Sequence, residues 1–342
     1  MIELLSRLCS AHGVSGREDD ICKVISDELS GIADNIHIDK NNNVIAKIGS
    51  TEKYNIMLDA HIDQIGFIVT HIDDNGFLKV SSVGGMDLRV AHDSRFKVQT
   101  DSGELTAVVC CLPPHLSDGG EDKAPNADSI FLDTGLPAER VRSLVQLGDT
   151  AVYDSVPTAL LNDRFTCCAT DNRACCALLI RVAQLIKLSP VKAGVTLAFT
   201  SQEETYGKGA LTAAYTISPD EAISTDVSFA RQGGVADHEA GVLGGGAMIC
   251  ISPVLSRKMS YKLIDTAKEN SLPYQLEIVG GLTGTNADKI STVKSGIPTA
   301  LVSIPQRSMH TAAEIVSAED IENTAKLIYK YIENAAGEND EY

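Results

Sequence analysis

Aromatic side chains are scarce in this chain of 342 residues, which has no tryptophan and an aromatic content of only 5%. Few rings are therefore available to stack on sugars, so we do not expect its many carboxylates to serve glycoside hydrolysis. Positive charge is also short, with 29 Lys and Arg against 46 Asp and Glu and a net charge of −17. Nucleic acids and anionic membrane surfaces bind clustered basic residues, so we expect neither as a partner.

Signals for export and membrane insertion are missing too. No apolar run approaches the roughly 18 residues that a membrane-spanning helix needs, and residues 1–19 lack the basic start and continuous apolar stretch of a signal peptide. Nine cysteines include the adjacent pairs Cys110–Cys111, Cys167–Cys168 and Cys175–Cys176, and none has the CxxC spacing of a structural zinc site. We expect reduced, mostly buried thiols and a cytoplasmic protein.

Common nucleotide-binding and nucleophile motifs are absent as well. The glycine-rich segments GGLTGT and VLGGGAMI match neither the dinucleotide-binding pattern nor the P-loop, and no GxSxG elbow occurs. The cysteines lie in apolar surroundings or on helix faces, which favours packing over nucleophilic catalysis. Histidines and carboxylates remain as the candidates for chemistry.

The sequence pattern changes twice along the chain, and a chain of this length is expected to form two domains. Short β-like runs separated by the turn signals DDNG, DSG and SDGGED occupy residues 67–157, with LPAERVRSLV as one helix candidate among them. On either side, helical and strand patterns alternate, which predicts a mostly parallel sheet flanked by helices. We therefore predict a discontinuous α/β domain, residues 1–66 and 158–342, interrupted by a small all-β domain at 67–157.

Polar side chains gather where several predicted strands end and one long helix begins, and open parallel sheets bind ligands at this edge. These residues are His61, Asp63, Asp171, Glu203, Glu204, Asp226 and His310, with Glu314 four residues after His310. Each of them alone fits a structural role such as a helix cap, a turn or a solvated loop. Their shared location favours a metal site, because imidazoles and carboxylates bind borderline divalent metals without any thiolate.

Two adjacent glutamates in SQEETYGKGA, residues 201–210, follow the predicted buried strand AGVTLAFT. In a partly buried setting each repels the other and raises its pKa unless a positive charge lies nearby. A metal ion bound by Glu204 would supply that charge, and Glu203 would stay free to act as a general base on water. The two side chains then have to point in different directions, which predicts a bend in the chain here.

Five separated segments, in order and spacing, resemble the M42 aminopeptidases, a family of co-catalytic metallopeptidases whose members often carry the label cellulase or endoglucanase. The segments are LDAHIDQIGFIV (58–69), CCATDNRACCALL (167–179), SQEETYGKGA (201–210), AISTDVSFA (222–230) and SIPQRSMHTAAEIVS (303–317). The resemblance extends over nearly the whole chain and implies a zinc-peptidase-like α/β fold.

The resemblance implies two divalent metal ions per subunit, zinc or cobalt, with manganese as a further candidate. Asp171 would bridge the two ions. His61 and Asp226 would complete one site, and Glu204 and His310 would complete the other. These five residues are the expected metal ligands.

The same resemblance implies that Glu203 is the catalytic base and that Asp63 orients the imidazole of His61, as neighbouring acceptors generally do for histidine ligands. The implied activity is removal of N-terminal residues from peptides by hydrolysis. The inserted β domain would be a PDZ-like dimerisation domain, and the family's dimers often assemble into tetrahedral dodecamers that enclose the active sites. We therefore expect peptide substrates and a homo-oligomer.

The chain departs from the family pattern near the substrate pocket. Gln64 stands where an acidic residue is common, Tyr206 follows the two glutamates, and Cys167–Cys168 precede the expected bridging aspartate. None of these departures removes an expected ligand or the base. Two alternatives stay open: a metal-dependent deacylase or amidohydrolase acting on a non-peptide substrate, and a catalytically inactive homologue retained for assembly.

Overall fold

The computed structural model of the protein describes residues 1–50, 54–92, 94–110 and 130–338. The predicted turn SDGGED, residues 117–122, lies outside them. Within the described ranges, no helix has both the length and the apolar character needed to cross a bilayer. Seven of the cysteines in these ranges are buried free thiols, as the sequence predicts: Cys9, Cys22, Cys167, Cys168, Cys175, Cys176 and Cys250.

A mixed eight-stranded sheet forms the centre of the fold. Its strands are β1 (Asn35–Ile38), β2 (Val44–Ile48), β3 (Asn55–His61), β12 (Gly194–Thr200), β13 (Glu221–Phe229), β14 (Ala247–Ile251), β15 (Tyr274–Ile278) and β16 (Thr299–Gln306). They lie in the order β1–β2–β12–β3–β13–β16–β14–β15. The neighbours β12, β3, β13 and β16 pair in parallel, so their carboxyl ends share one edge.

Helices cover both faces of this sheet. They are α1 (Ile2–Ser10), α2 (Asp19–Leu29), α5 (Thr170–Leu188), α6 (Lys208–Ile217), α7 (Arg257–Glu269), α8 (Asn286–Ile290) and α9 (Ala318–Glu338). Leu58 of β3 packs in the core that contains α5, whereas its neighbour Met57 packs with Ala213 of α6 and Ile290 of α8. Alternate residues of one strand thus serve two cores, and the predicted α/β class is confirmed.

A closed six-stranded barrel lies between β3 and α5 in the sequence. Its strands are β4 (Gly66–Ile72), β5 (Leu78–Val83), β6 (Arg95–Thr100), β7 (Gly103–Cys110), β8 (Phe131–Asp133) and β9 (Thr150–Tyr153). They close in the order β4–β5–β8–β7–β6–β9. Phe96 packs between Phe67 and Tyr153 inside it, with ring centroids 5.0 and 4.5 Å apart. The small β unit that the sequence predicts is therefore present.

In the described part of the barrel unit two short helices accompany the strands, where the sequence predicts one. The predicted helix is α4 (Ala138–Leu144). The additional one, α3 (Leu88–Ala91), is a single turn whose start is capped by Asp87, because that carboxylate accepts a hydrogen bond from the backbone N–H of Arg89 at 3.0 Å.

A third, antiparallel sheet brings a loop after β16 next to the start of α5. Its strands are β10 (Thr158–Leu160), β11 (Arg164–Cys167) and β17 (Glu314–Ser317), in the order β10–β11–β17. The register places Cys167 opposite Glu314. Residues on both sides of this pair belong to the segments that the sequence analysis singles out for chemistry.

Candidate metal centre

Five side chains meet at the shared carboxyl edge of the central strands. His61 ends β3, Asp226 lies in β13, Asp171 lies at the start of α5, Glu204 follows β12 and His310 follows β16. The sequence predicts this convergence from five separated segments, and the structure brings all five residues together in two overlapping groups.

The carboxylate of Asp171 lies between the two histidines. Its Oδ1 is 3.2 Å from His61 Nε2, and its Oδ2 is 3.2 Å from His310 Nε2. Asp226 Oδ1 lies 3.7 Å from His61 Nε2, and Glu204 Oε1 lies 3.4 Å from His310 Nε2. In each group of three residues the candidate ligand atoms lie within 4.8 Å of one another. Asp171 is therefore placed to be shared by two adjacent cation sites.

The electrostatics of this cluster favour bound cations. Burial, together with the carboxylates of Asp226 and Glu204, raises the pKa of Glu203 to about 9. Burial lowers the pKa of His310, but hydrogen bonds to Asp171 and Glu204 outweigh it and raise that pKa to about 11. Buried carboxylates that repel one another bind positive charge, and imidazole nitrogens with carboxylate oxygens are donors that zinc-like ions prefer. The residues present therefore fit two divalent ions.

A turn separates the two glutamates from β12, as the sequence predicts. Gln202 has a φ of +58°, which redirects the chain immediately before Glu203. Glu204 faces His310, whereas Glu203 Oε2 lies 4.0 Å from His61 Nε2 and belongs to neither ligand group. The side chain of Glu203 is 16% exposed against 5% for Glu204, so Glu203 is the one open to an incoming molecule.

Asp63 contacts both glutamates as well as the histidine. Its buried carboxylate accepts hydrogen bonds from the backbone N–H of Glu203 at 3.0 Å and of Glu204 at 3.1 Å, and from the hydroxyl of Ser15 at 2.5 Å. His61 Nδ1 lies 3.1 Å from the backbone carbonyl of Asp63 and 3.5 Å from its carboxylate. The carbonyl is thus the closer acceptor for the imidazole, and the carboxylate fixes the backbone of the glutamates, which the sequence does not predict.

Glu314 ties the loop of Asp171 to the loop of His310, a second role that the sequence does not predict. Its Oε2 accepts from the backbone N–H of Asp171 and the hydroxyl of Thr170, both at 3.0 Å, and its Oε1 accepts from the backbone N–H of His310 at 2.9 Å. Burial, together with the charge of Asp171, raises the pKa of Glu314 to about 8. Its only sequence signal is its place four residues after His310.

The imidazole of His310 is oriented from the barrel side. Its Nδ1 lies 2.9 Å from the backbone carbonyl of Gly85, in the segment between β5 and α3. A Cβ on Gly85 would lie 2.8 Å from that nitrogen, and a Cβ on Gly84 would lie 3.2 Å from the side chain of Glu204. These two glycines therefore allow the backbone to approach both side chains closely.

The cluster opens into a cavity of about 1390 Å³. Besides the candidate ligands, the cavity is lined by the apolar side chains Phe229, Leu282 and Leu301, by Tyr206 and by Glu277. Small-molecule sites usually enclose roughly 300–1,000 Å³, so this cavity has room for a longer, extended molecule.

Known proteins similar to this chain match it along nearly its whole length. The family model of the M42 glutamyl aminopeptidases matches residues 42–327. A lysyl aminopeptidase of Pyrococcus furiosus is 33% identical over 337 residues, which cover 97% of this chain and 96% of the relative. An aminopeptidase of the archaeon Desulfurococcus kamchatkensis superposes with a TM-score of 0.92 at 33% identity, covering 98% of this chain and 95% of its own.

A third similar protein is the TET1 peptidase of Pyrococcus horikoshii, which can assemble into a tetrahedron or a large octahedral shell. Its TM-score is 0.85 at 29% identity, and the match covers 97% of this chain and 98% of that one. The similarity in sequence and in fold thus extends over both the central sheet and the barrel. The chain belongs to the M42 glutamyl aminopeptidase family.

Proposed function

We propose that the protein is a metal-dependent aminopeptidase that removes N-terminal residues from peptides by hydrolysis. The observation that carries the proposal is the position of Asp171, whose two carboxylate oxygens face two separate imidazole–carboxylate pairs. Membership of a family of aminopeptidases supports it. The size of the adjoining cavity suits a peptide better than a small metabolite.

Five residues would hold two divalent ions, zinc or cobalt, with manganese as a further candidate. Asp171 would be the shared ligand, His61 and Asp226 would complete one site, and Glu204 and His310 would complete the other. Such ions, when bound, polarise the scissile carbonyl and make water more acidic.

Glu203 is the general base in this proposal. Its carboxylate lies beside His61 but outside both ligand groups, so its oxygens remain available to take a proton from the attacking water and to pass it to the leaving amine. The hydrogen bonds from the backbone of Glu203 and Glu204 to Asp63 keep the base at a fixed position relative to the ligand beside it.

Replacing Glu203 by Gln tests this division of roles. We expect E203Q to keep the wild-type metal content, measured by elemental analysis of protein purified without chelator. Turnover of aminoacyl anilides should fall by about 10²–10⁴-fold, the usual contribution of a general base. The matched control is E239Q, which neutralises a carboxylate at the cavity that is 68% exposed, and it should change neither quantity. Loss of metal from E203Q would contradict the roles given to the two glutamates.

A substrate panel separates the aminopeptidase from the two alternatives. The metal-reconstituted protein is assayed on aminoacyl anilides and on N-acyl amino acids. Hydrolysis of the N-acyl amino acids alone would favour a deacylase or amidohydrolase. A protein that binds no metal and hydrolyses neither class would favour an inactive homologue.

We further propose that residues 67–157 form a PDZ-like dimerisation domain inserted into a catalytic domain made of residues 1–66 and 158–342. The closed barrel from Gly66 to Tyr153 supports this division. The tetrahedral assembly of the TET1 neighbour supports a homo-oligomer of this chain, built from dimers up to a dodecamer. Light scattering coupled to size-exclusion chromatography tests the assembly, and a monomeric mass at all concentrations would contradict it.

A further inference from the structure

Glu277 is a partly buried carboxylate in the cavity wall that the mechanism above leaves unused. It lies on β15, and its two oxygens accept hydrogen bonds from the hydroxyls of Ser228 on β13 and Ser303 on β16, the latter at 3.1 Å. Burial raises the pKa of its carboxyl, and the two serine hydroxyls oppose that effect. In the part of the chain that the structure describes, no cationic side chain neutralises this carboxylate.

The position of Glu277 relative to the metal-ligand cluster is set by the strands. Ser228 lies two residues beyond Asp226 on the same face of β13, and Ser303 lies opposite Asp226 in the β13–β16 register. Because a strand rises about 3.3 Å per residue, Ser228 lies about 7 Å along the strand from Asp226, whereas Ser303 lies beside Asp226, so Glu277 is held next to the metal-ligand cluster. A lysine side chain has five bonds of about 1.5 Å between Cα and Nζ, so in its extended form it covers a similar distance.

Apolar side chains form part of the cavity wall on the strands beside Glu277. Met248 and Leu301 line it on the neighbouring strands, and Leu282 lines it from a loop. Lys289 also lines the cavity, but its ammonium group lies 4.3 Å from the centre of the Tyr206 ring, away from any contact with Glu277. A cavity that combines apolar side chains with an unneutralised carboxylate fits a side chain with an aliphatic stem and a cationic head, as lysine and arginine have.

We propose that Glu277 selects peptides whose N-terminal residue is lysine or arginine, by binding the ammonium or guanidinium head while the metal-ligand cluster holds the scissile bond. This inference rests on the aminopeptidase function proposed above and adds its substrate class. The residue determines specificity and takes no part in the bond-breaking step.

The test compares kcat/KM on the 4-nitroanilides of Lys, Arg, Leu and Glu for the metal-reconstituted enzyme and its variants. The wild type prefers the two basic substrates. In E277Q the ratio of kcat/KM for Lys over Leu falls about 30-fold or more, the change expected when one partner of a hydrogen-bonded charge pair is neutralised. In E277K the kcat/KM for the Glu substrate rises relative to that for the Lys substrate. The control E139Q, at an exposed carboxylate of α4 outside the cavity, keeps the wild-type ratio.

Several outcomes would overturn the inference. If E277Q lowers kcat/KM equally on the Lys and Leu substrates, Glu277 recognises the shared α-amine or has a structural role. A fall in kcat/KM that follows loss of metal content would lead to the same conclusion. A wild-type preference for Leu or Glu over Lys would overturn it without any variant, which covers the case in which E277Q does not fold. The absence of metal-dependent hydrolysis of all four substrates would instead refute the proposed function, so the two failures are distinguishable.

Discussion

Replacing Asp63 by Asn perturbs the contact that holds the two glutamates in place. The two oxygens of Asp63 accept separate backbone hydrogen bonds, from Glu203 and from Glu204. Asparagine offers only one accepting oxygen, so one backbone N–H would face an amide NH₂ group. A hydrogen bond to a charged group contributes about 1.5–3 kcal/mol, and an orphaned buried donor costs about 1–3 kcal/mol. We expect D63N to lose about 2–4 kcal/mol in the free energy of unfolding, measured by urea denaturation.

The same substitution should weaken metal binding and turnover, because the backbone that carries Glu203 and Glu204 is less well fixed. We expect the affinity of the apoprotein for its metal to fall about 10–100-fold, as when a partner of a ligand is removed. Titration with metal measures this, and anilide kinetics should show a fall in kcat larger than the change in KM. The matched control is S15A, which removes the hydroxyl donor to Asp63 and leaves the backbone bonds intact. Wild-type metal affinity in D63N, or equal effects of D63N and S15A, would refute the reasoning.

Three further substitutions test the sharing of Asp171 and the cost of a buried carboxyl. D171N should abolish binding of both ions, whereas D226N should abolish only one, counted as metal per subunit by elemental analysis; equal counts in the two variants would contradict the shared ligand. Burial raises the pKa of Glu18 from 4.5 to about 6, so the folded state binds its proton more tightly and this group destabilises the protein as pH rises through that range. Metal-free E18Q should therefore be more stable than the wild type by about 2 kcal/mol at pH values above about 7 and should show no gain below about pH 4.5, measured by urea unfolding. A loss of stability at the higher pH would show that the charge is favourable.

The central strands and the ligand candidates are predictable from the sequence because each carries a local signal. β3, β12 and β16 are runs of seven or eight residues that are buried throughout. Strands covered by helices on both faces need such runs, and the polar residues that follow them stand out against the apolar background. The sequence alone therefore predicts that His61 and Glu204 lie at the edge of the sheet.

Short strands that depend on pairing with distant parts of the chain cannot be predicted from a local signal. β10 is three residues long and fully exposed, so it shows no alternation of apolar and polar side chains. β14 follows a glycine-rich stretch, and it is stabilised by pairing with β15 and β16. Such strands form because of their neighbours in space, and β propensity depends strongly on that context.

The roles of the residues that support the candidate centre cannot be predicted from the sequence for a related reason. Glu314 accepts a hydrogen bond from the backbone N–H of Asp171, 143 positions earlier in the chain. The carboxylate of Asp63 binds backbone groups 140 and 141 positions later. No sequence spacing encodes a contact between a side chain and a distant main-chain N–H, because every residue type except proline offers that group.

The carbonyl of Gly85 lies in the segment between β5 and α3 of the barrel unit, whereas His310 lies in the loop after β16, so one candidate ligand ring is oriented where the barrel meets the central sheet. A subunit contact on the barrel that displaced the Gly85 carbonyl would also remove the acceptor that orients the His310 imidazole. If the oligomer proposed above makes such a contact, assembly and cation affinity would be coupled, and by linkage each would change the other by the same factor.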